Sequence, residues 1–333
     1  MRKPAATLLL GLALLTGCTV NEGVTPLMVA SKQGNLDEVS ALLASGSQVN
    51  QSSTFGWTPL MFAANEGHID TVSALLNKGA DPNVSSSEVP SRFETVSGYP
   101  PSNALAEAVA GGHFDVAYLL IERGAKIDPL SVAKAGGTGE INLLAHMKSK
   151  GADFNLYSNN EFWPTALCCS CKKGHLDAVR WLCHNGAKIN TVQGHSLPLK
   201  SAIRGLHPEI VAYLLQNGAD PNIPTGNPEY HHNFALGDAV MESPSTAEES
   251  RRLLRIIRLL LDHGADVHRR DNGNDSILDR KLVQRENGRK YDAKHPTADQ
   301  PPKVQERRRI SNQHDDRVIS MLSAHLSKNS GKP

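Results

Sequence analysis

The strongest constraint in this sequence is a spacing. Thr25-Pro26-Leu27 stands 33 positions before Thr58-Pro59-Leu60, and the same 33 positions separate Gly34 from Gly67 and Gly46 from Gly79. Three landmarks that shift together describe one structural unit used repeatedly, so the chain reads as a one-dimensional stack. The clearest copy is Gly56 to Asn83, GWTPLMFAANEGHIDTVSALLNKGADPN. Its residue types specify helix, turn, helix. The Thr58 hydroxyl is placed to cap a first helix, and Pro59, with no N–H and φ already near helical, suits the first helical position. Leu60, Ala63 and Ala64 share one face, where the two small side chains let a neighbouring helix come close. Gly67 breaks the run. Ile69, Val72, Leu75 and Leu76 then recur at helical spacing as the apolar stripe of a second helix, which Gly79 ends with a left-handed cap before Asp81-Pro82-Asn83 starts a turn.

This unit resembles the ankyrin repeat. The Thr-Pro-Leu-His-x-Ala signature of that family stands here as Thr58-Pro59-Leu60-Met61-Phe62-Ala63, with Met61 in place of the usual His. The resemblance implies an all-α solenoid of stacked helix-turn-helix units with β-hairpin loops, about seven of them over residues 25–270. A length of 333 residues would ordinarily suggest two domains, but a stack has no such limit and the chain is expected to form a single solenoid.

The third copy runs from Asn103 to Asp128 and keeps Leu105, Ala108, Gly112, Val116, Leu119, Leu120 and Gly124 in register. An insertion precedes it, because Gly79 and Gly124 are 45 positions apart. The inserted stretch, 84–102, is rich in turn formers and carries Phe93 and Tyr99, which tilts it towards contact. In the fourth and weakest copy, Leu130 to Asn155, Gly136-Gly137-Thr138-Gly139 lacks the Gly-Lys-Ser/Thr ending of a phosphate cradle. Gly139 also lies 12 positions before Gly151, as Gly67 does before Gly79, so the run is expected to be the interhelical turn. The fifth and sixth copies follow at Thr165-Ala166-Leu167 and Leu197-Pro198-Leu199. A seventh has Leu236 and Ala239 in its first helix and a longer second helix over 246–263, whose Arg251, Arg252, Arg255 and Arg258 read as a solvated face. Residues 271–327 are expected to form a C-terminal cap: a helix over 276–283, a disordered insertion over 284–307, and a last amphipathic helix through Val318, Met321, Leu322 and Leu326. Residues 328–333 form a tail expected to fray.

At the other end, Arg2 and Lys3 precede a short apolar run that finishes in Leu15-Thr16-Gly17-Cys18. The run is a signal peptide, 1–17, too short to span a bilayer comfortably. Leu-Thr-Gly-Cys resembles the bacterial lipobox, which implies cleavage before Cys18 and acyl chains (palmitate among them) on that residue, with 18–24 as anchor and linker; a generic cleaved signal is the plainer alternative. Thr19 follows in place of the Asp that tends to retain such lipoproteins at the inner membrane, so the resemblance implies the outer membrane, facing the periplasm.

A net charge of +1 argues against a general polyanion binder, and no nucleic-acid partner is expected. Gly-x-Ser-x-Gly and His-Glu-x-x-His are absent, so the protein is expected to be non-enzymatic, with no cofactor. His68, His113, His175 and His207 recur at the start of second helices. Helices stacked about 8–10 Å apart cannot bring equivalent histidines to one metal ion, so these are expected to hydrogen-bond at the helix terminus, and no metal site is expected. Cys168, Cys169, Cys171 and Cys183 crowd the fifth copy. Cys171 takes the place of Ala64 and Cys183 that of Leu76, as small apolar core; a disulfide between Cys171 and Cys183 and a zinc site remain open beside that role.

Function is then left to the concave face of loop tips and first helices, a surface for another protein. By register, the family's contact positions fall on Phe55, Trp57, Asn65 and Glu66, on Glu161, Phe162, Lys172 and Lys173, on Arg204, and on Tyr230 and His231. Aromatics are only 5% of the chain, and placing several of them here fits the composition of interface hot spots. Trp163, in place of a hairpin glycine, reads equally as structural. A secreted toxin, such as a membrane-attacking lipase, is the most specific partner this arrangement suggests, which would make the protein an immunity lipoprotein. The alternatives are a hydrolase or redox protein with its site in the insertions or cysteines, and a structural envelope scaffold.

Overall fold

Five of the described first helices begin where a capping side chain (Thr25, Thr58, Asn103, Asp128 or Thr165) precedes a short apolar run, whereas Leu197 and Phe234 hold that position in the last two without a side-chain cap. In the computed structural model, the Met61 N–H donates to Thr58 Oγ1 at 3.3 Å and the Ala106 N–H to Asn103 Oδ1 at 2.8 Å. The structure describes residues 23–86, 101–156, 164–191, 197–224, 234–269, 275–294 and 300–329. Residues 1–17, expected from sequence to be a signal peptide, and Cys18 lie outside them. Among the described residues no helix is long and apolar enough to cross a membrane.

The chain divides into two compact units, Met1–Asp153 and Phe154–Pro333. The first holds α1 (Pro26–Gln33), α2 (Leu36–Ala44), α3 (Pro59–Asn65), α4 (Ile69–Asn77), α5 (Ala104–Ala110), α6 (Phe114–Glu122), α7 (Pro129–Thr138) and α8 (Ile141–Ser149). First helices pack in the succession α1, α3, α5, α7, and each carries its own second helix on its flank. The contact between successive first helices is built on alanine: Ala30, Ala63, Ala108 and Ala133 are all at most 2% exposed. Each second helix buries one stripe, such as Thr71, Val72 and Leu75 on α4. A fully buried leucine such as Leu60, Leu75, Leu105 or Leu120 contributes roughly 1.5–3 kcal/mol, and the gain is shared across the repeat boundary.

Two polar devices lock one repeat to the next. Asn83 donates from Nδ2 to the Gly124 carbonyl at 3.2 Å and accepts from the Lys126 N–H at 2.7 Å. Asn50 makes the same pair of bonds to Gly79 and Asp81, at 3.0 and 2.8 Å. The second device is the recurring histidine. His68 occupies the N-cap position of α4, but its side chain makes no capping bond to that helix; its Nε2 lies 3.0 Å from the carbonyl of Lys32, in the last turn of α1. The histidine therefore satisfies an orphan carbonyl of the preceding repeat and not its own helix terminus, which corrects the local role expected from sequence.

Gly136 and Gly137, expected in the interhelical turn, are helical. Helix α7 continues to Thr138, whose hydroxyl donates to the Ala135 carbonyl at 2.8 Å, and only Gly139 (φ 76°) turns the chain. The insertion is pinched at its base: the Ser86 N–H donates to the Ser102 carbonyl at 2.7 Å, and the Ser102 N–H to Ser86 Oγ at 2.8 Å. Phe93 and Tyr99 lie outside the described residues. No strand forms among the described residues, and the loop between the first two repeats is held as a hydrogen-bonded turn at 53–57.

The second unit holds α9 (Ala166–Lys173), α10 (Leu176–His184), α11 (Pro198–Arg204), α12 (Pro208–Gln216), α13 (Ala235–Met241), α14 (Ala247–Asp262), α15 (Ile277–Lys294) and α16 (Pro302–Asn329). Here α9, α11 and α13 pack in succession, with α10, α12 and α14 on their flanks. Asn155, Asn190 and Asn222 repeat the inter-repeat bridge to Gly186, Gly218 and Gly264 at 3.0, 2.8 and 2.9 Å. His207 repeats the histidine bond, to the Lys172 carbonyl at 3.2 Å.

At the C-terminus the structure places helix over 284–294 and 302–307, within the stretch 284–307 expected to be disordered; residues 295–299 lie outside the described residues. Helix α15 runs on to Lys294 and α16 starts at Pro302, where a proline opens a helix without breaking it. Cross-helix charge explains the order. Arg285 grips Asp316 at 2.9 and 3.2 Å, Arg308 meets Asp292 at 3.2 Å, and the fully buried Lys281 pairs with Asp315 at 2.7 Å. A polar composition therefore hides partners that only the helix pairing brings together. Helix α16 also packs on α14, where His314 Nδ1 lies 3.1 Å from the Ser250 hydroxyl.

Candidate functional site

In the first unit, the candidate surface begins at the turn ahead of α3. The Ser53 N–H donates to the Trp57 carbonyl and the Gly56 N–H to the Ser53 carbonyl, both at 2.9 Å, while the Trp57 N–H reaches Ser53 Oγ at 3.1 Å. This closed turn presents Phe55 and Trp57, both half-buried. The Trp57 ring rests on Phe62 of α3, with centroids 5.0 Å apart and planes tilted by 51°. Phe62 was not among the contact residues expected from sequence, and it fixes the tryptophan that was.

Behind the turn runs a polar line across three repeats. Asn65 Nδ2 donates to Glu107 Oε2 at 3.2 Å, Lys134 Nζ meets Glu107 Oε1 at 3.1 Å, and the Ser102 hydroxyl donates to the same oxygen. Glu107 occupies the register position of Phe62 and is only 9% exposed. Asn65 is thus committed to holding repeats together, whereas Glu66, at the C-cap of α3, is exposed. The signal that could have revealed this line was a carboxylate at an inward position of a first helix.

In the second unit, Lys172 and Lys173 are exposed in the last turn of α9, and Arg204 is exposed at the equivalent place on α11. Under Arg204 lies a half-concealed ion pair, Lys200 Nζ to Asp238 Oδ2 at 3.4 Å, with side chains 8% and 16% exposed. Burial pushes the Asp238 carboxyl above its ordinary value, against the pull of Lys200 and Arg204. Glu161, Phe162, Trp163, Tyr230 and His231 lie outside the described residues.

The four cysteines of the fifth repeat are separate thiols, so the disulfide considered for Cys171 and Cys183 is not formed. Cys171 is fully buried in the alanine register, and the half-exposed Cys183 faces the Tyr213 hydroxyl. Burial raises every one of these thiols: Cys169 to about 12, Cys183 to about 11, and Cys168 and Cys171 in the same direction. Thiols held protonated in this way are poor nucleophiles, which suits a role as core filler.

A family model described as "Ankyrin repeats (3 copies)" matches residues 4–86 and 130–225, more than half of the 333 residues. The chain belongs to the ankyrin-repeat family. Among solved structures it is similar to the human ASB11 ankyrin repeat domain, at 23% identity and a TM-score of 0.44, over 77% of this chain and 91% of that one. No curated protein matches it. Ankyrin repeats point to a protein–protein interaction role, and the matching family model names no catalytic family. Among the described residues of this ankyrin-repeat chain, the aromatics of the 53–57 turn are half-buried and the cations ending α9 and α11 are exposed.

Proposed function

We propose that the protein is a lipid-anchored ankyrin lipoprotein of the bacterial envelope, held through Cys18 at the outer membrane on its periplasmic side, and that it binds and neutralises a secreted effector. The observation that carries the reading is the pairing of ankyrin repeats with Leu15-Thr16-Gly17-Cys18 behind an apolar run in one chain. Two or three acyl chains, at about 0.8 kcal/mol for each buried CH₂, make such an anchor almost permanent. The first helix begins at Pro26, so an extended chain from Cys18 holds the first repeat within roughly 25 Å of the bilayer. A binder kept there meets enzymes that act on lipid, and a preformed surface loses little conformational entropy on docking.

Fatty-acid labelling separates the anchor from the rest of the reading: wild type is expected to label and Cys18→Ser not, and equal labelling of both would remove the anchor. For the partner, a deletion strain is challenged by isogenic siblings that deliver their own effectors. Rescue by the full protein, but not by Trp57→Ala with Phe162→Ala, is the expected result. Loss of two anchoring aromatics weakens a protein interface by at least about 2 kcal/mol. Normal competition by the deletion strain, with effector delivery verified, would overturn the immunity reading.

A further inference from the structure

Helix α14 turns Arg251, Arg255 and Arg258 towards α16, and with Arg317 of α16 they border an open groove of about 590 Å³. The four guanidinium groups are exposed, while Leu254 and Met321 lie half-buried between them as an apolar floor. Arg251 is paired with Glu248 at 3.0 Å and Arg255 with Glu209 at 2.7 Å. Arg258 and Arg317 have no ion-pair partner among the described residues. The one carboxylate on the rim, Asp316, is already taken by Arg285 at 2.9 and 3.2 Å. Like charges gathered around an apolar floor repel one another, and an anionic occupant relieves that repulsion.

We propose that this groove docks an acidic segment of a partner protein that carries an apolar side chain among its carboxylates. Guanidinium groups grip carboxylates in a two-pronged geometry, and the floor between Leu254 and Met321 takes the apolar anchor. A free phosphate makes no use of that floor, and a concave slot between two helices suits an inserted segment better than a flat lipid surface. The site lies on the terminal helices and uses neither Cys18 nor the repeat loops, so it stands or falls apart from the reading above.

The mature protein in detergent is titrated at low salt with a fluorescein-labelled peptide of roughly twelve residues, pairs of glutamate alternating with single leucines, and binding is read by anisotropy. Arg258→Glu with Arg317→Glu is expected to weaken binding at least about tenfold with a melting temperature no lower than wild type's, while Arg252→Glu, outside the groove, leaves binding intact. Met321→Ser is expected to weaken binding severalfold, as the floor requires. Equal affinity of wild type and the double arginine variant overturns the proposal, as does an all-glutamate peptide that binds as tightly as the leucine-bearing one. Capture by phosphatidylglycerol vesicles through the same arginines, with no peptide binding, also overturns it and makes the groove a lipid contact.

Discussion

The inter-repeat histidine makes a prediction that no single repeat would make. Gly34 has φ of +69°, and a Cβ built on it would lie 2.5 Å from His68 Nδ1 and 2.7 Å from the next two ring atoms. Changing Gly34 to Ala therefore costs twice. An L-residue in the left-handed region costs about 1–2 kcal/mol, offset by about 0.4–1 kcal/mol from a less flexible unfolded chain. The ring must then move off the glycine, which breaks the bond from Nε2 to the Lys32 carbonyl at 3.0 Å. That loss adds about 0.5–1.5 kcal/mol, for a total of roughly 0.5–3 kcal/mol. Gly46 is the control, because its φ is +91° and no atom lies within 4 Å of a Cβ there. Gly46→Ala is expected to show the backbone part alone, about 1 kcal/mol. Urea unfolding of the two variants, combined with His68→Ala in a double-mutant cycle, separates the terms. The penalty of Gly34→Ala is expected to fall to that of Gly46→Ala once the ring is gone, a coupling of about 1 kcal/mol. Equal penalties for the two glycine variants, or a coupling near zero, would refute the claim that His68 clamps one repeat to the next.

The terminal helices provide a pH signature. Burial, with Lys281 and Arg317 adding to it, pushes His314 down from 6.5 to about 4, so the fold prefers the neutral ring. The unfolded chain binds the extra proton between those values; the stabilisation is full above pH 6.5, is lost as pH falls towards 4, and is on the order of 3 kcal/mol. Urea midpoints from pH 7 to 4 are expected to show this fall and His314→Gln to flatten it, while an unchanged slope would refute the assignment. Lys281→Met alone leaves the Asp315 carboxylate, only 7% exposed, without its cation and is expected to cost about 3–5 kcal/mol; pairing it with Asp315→Leu should bring melting back close to wild type. In Cys18→Ser protein at pH 8, a disulfide-exchange reagent is expected to label the four remaining thiols at least about 100-fold more slowly in the native state than in guanidinium, and fast native labelling of Cys169 would contradict its burial.

The repeat itself was legible because its rules are local. Thr58, Pro59 and the Leu60, Ala63, Ala64 face act within one turn of helix, and a spacing of 33 needs nothing but counting. What joins the repeats was not legible. Asn83 reaches the Gly124 carbonyl across 41 positions and His68 the Lys32 carbonyl across 36, and a backbone carbonyl carries no mark in a sequence. The surroundings of the candidate surface were legible in part: Trp57 could be placed by register, but Phe62 beneath it and the tie between Asn65 and Glu107 depend on which faces meet. At the C-terminus, residues 284–294 look too polar to order by themselves, and they become helix because Arg285 and Asp292 find partners on α16. Sequence alone determined the unit and its period, since capping and apolar periodicity are properties of neighbours along the chain. Tertiary structure decided the buried Lys281–Asp315 pair and the arginine groove, since a charge is stabilised or left bare only by what the fold sets opposite it.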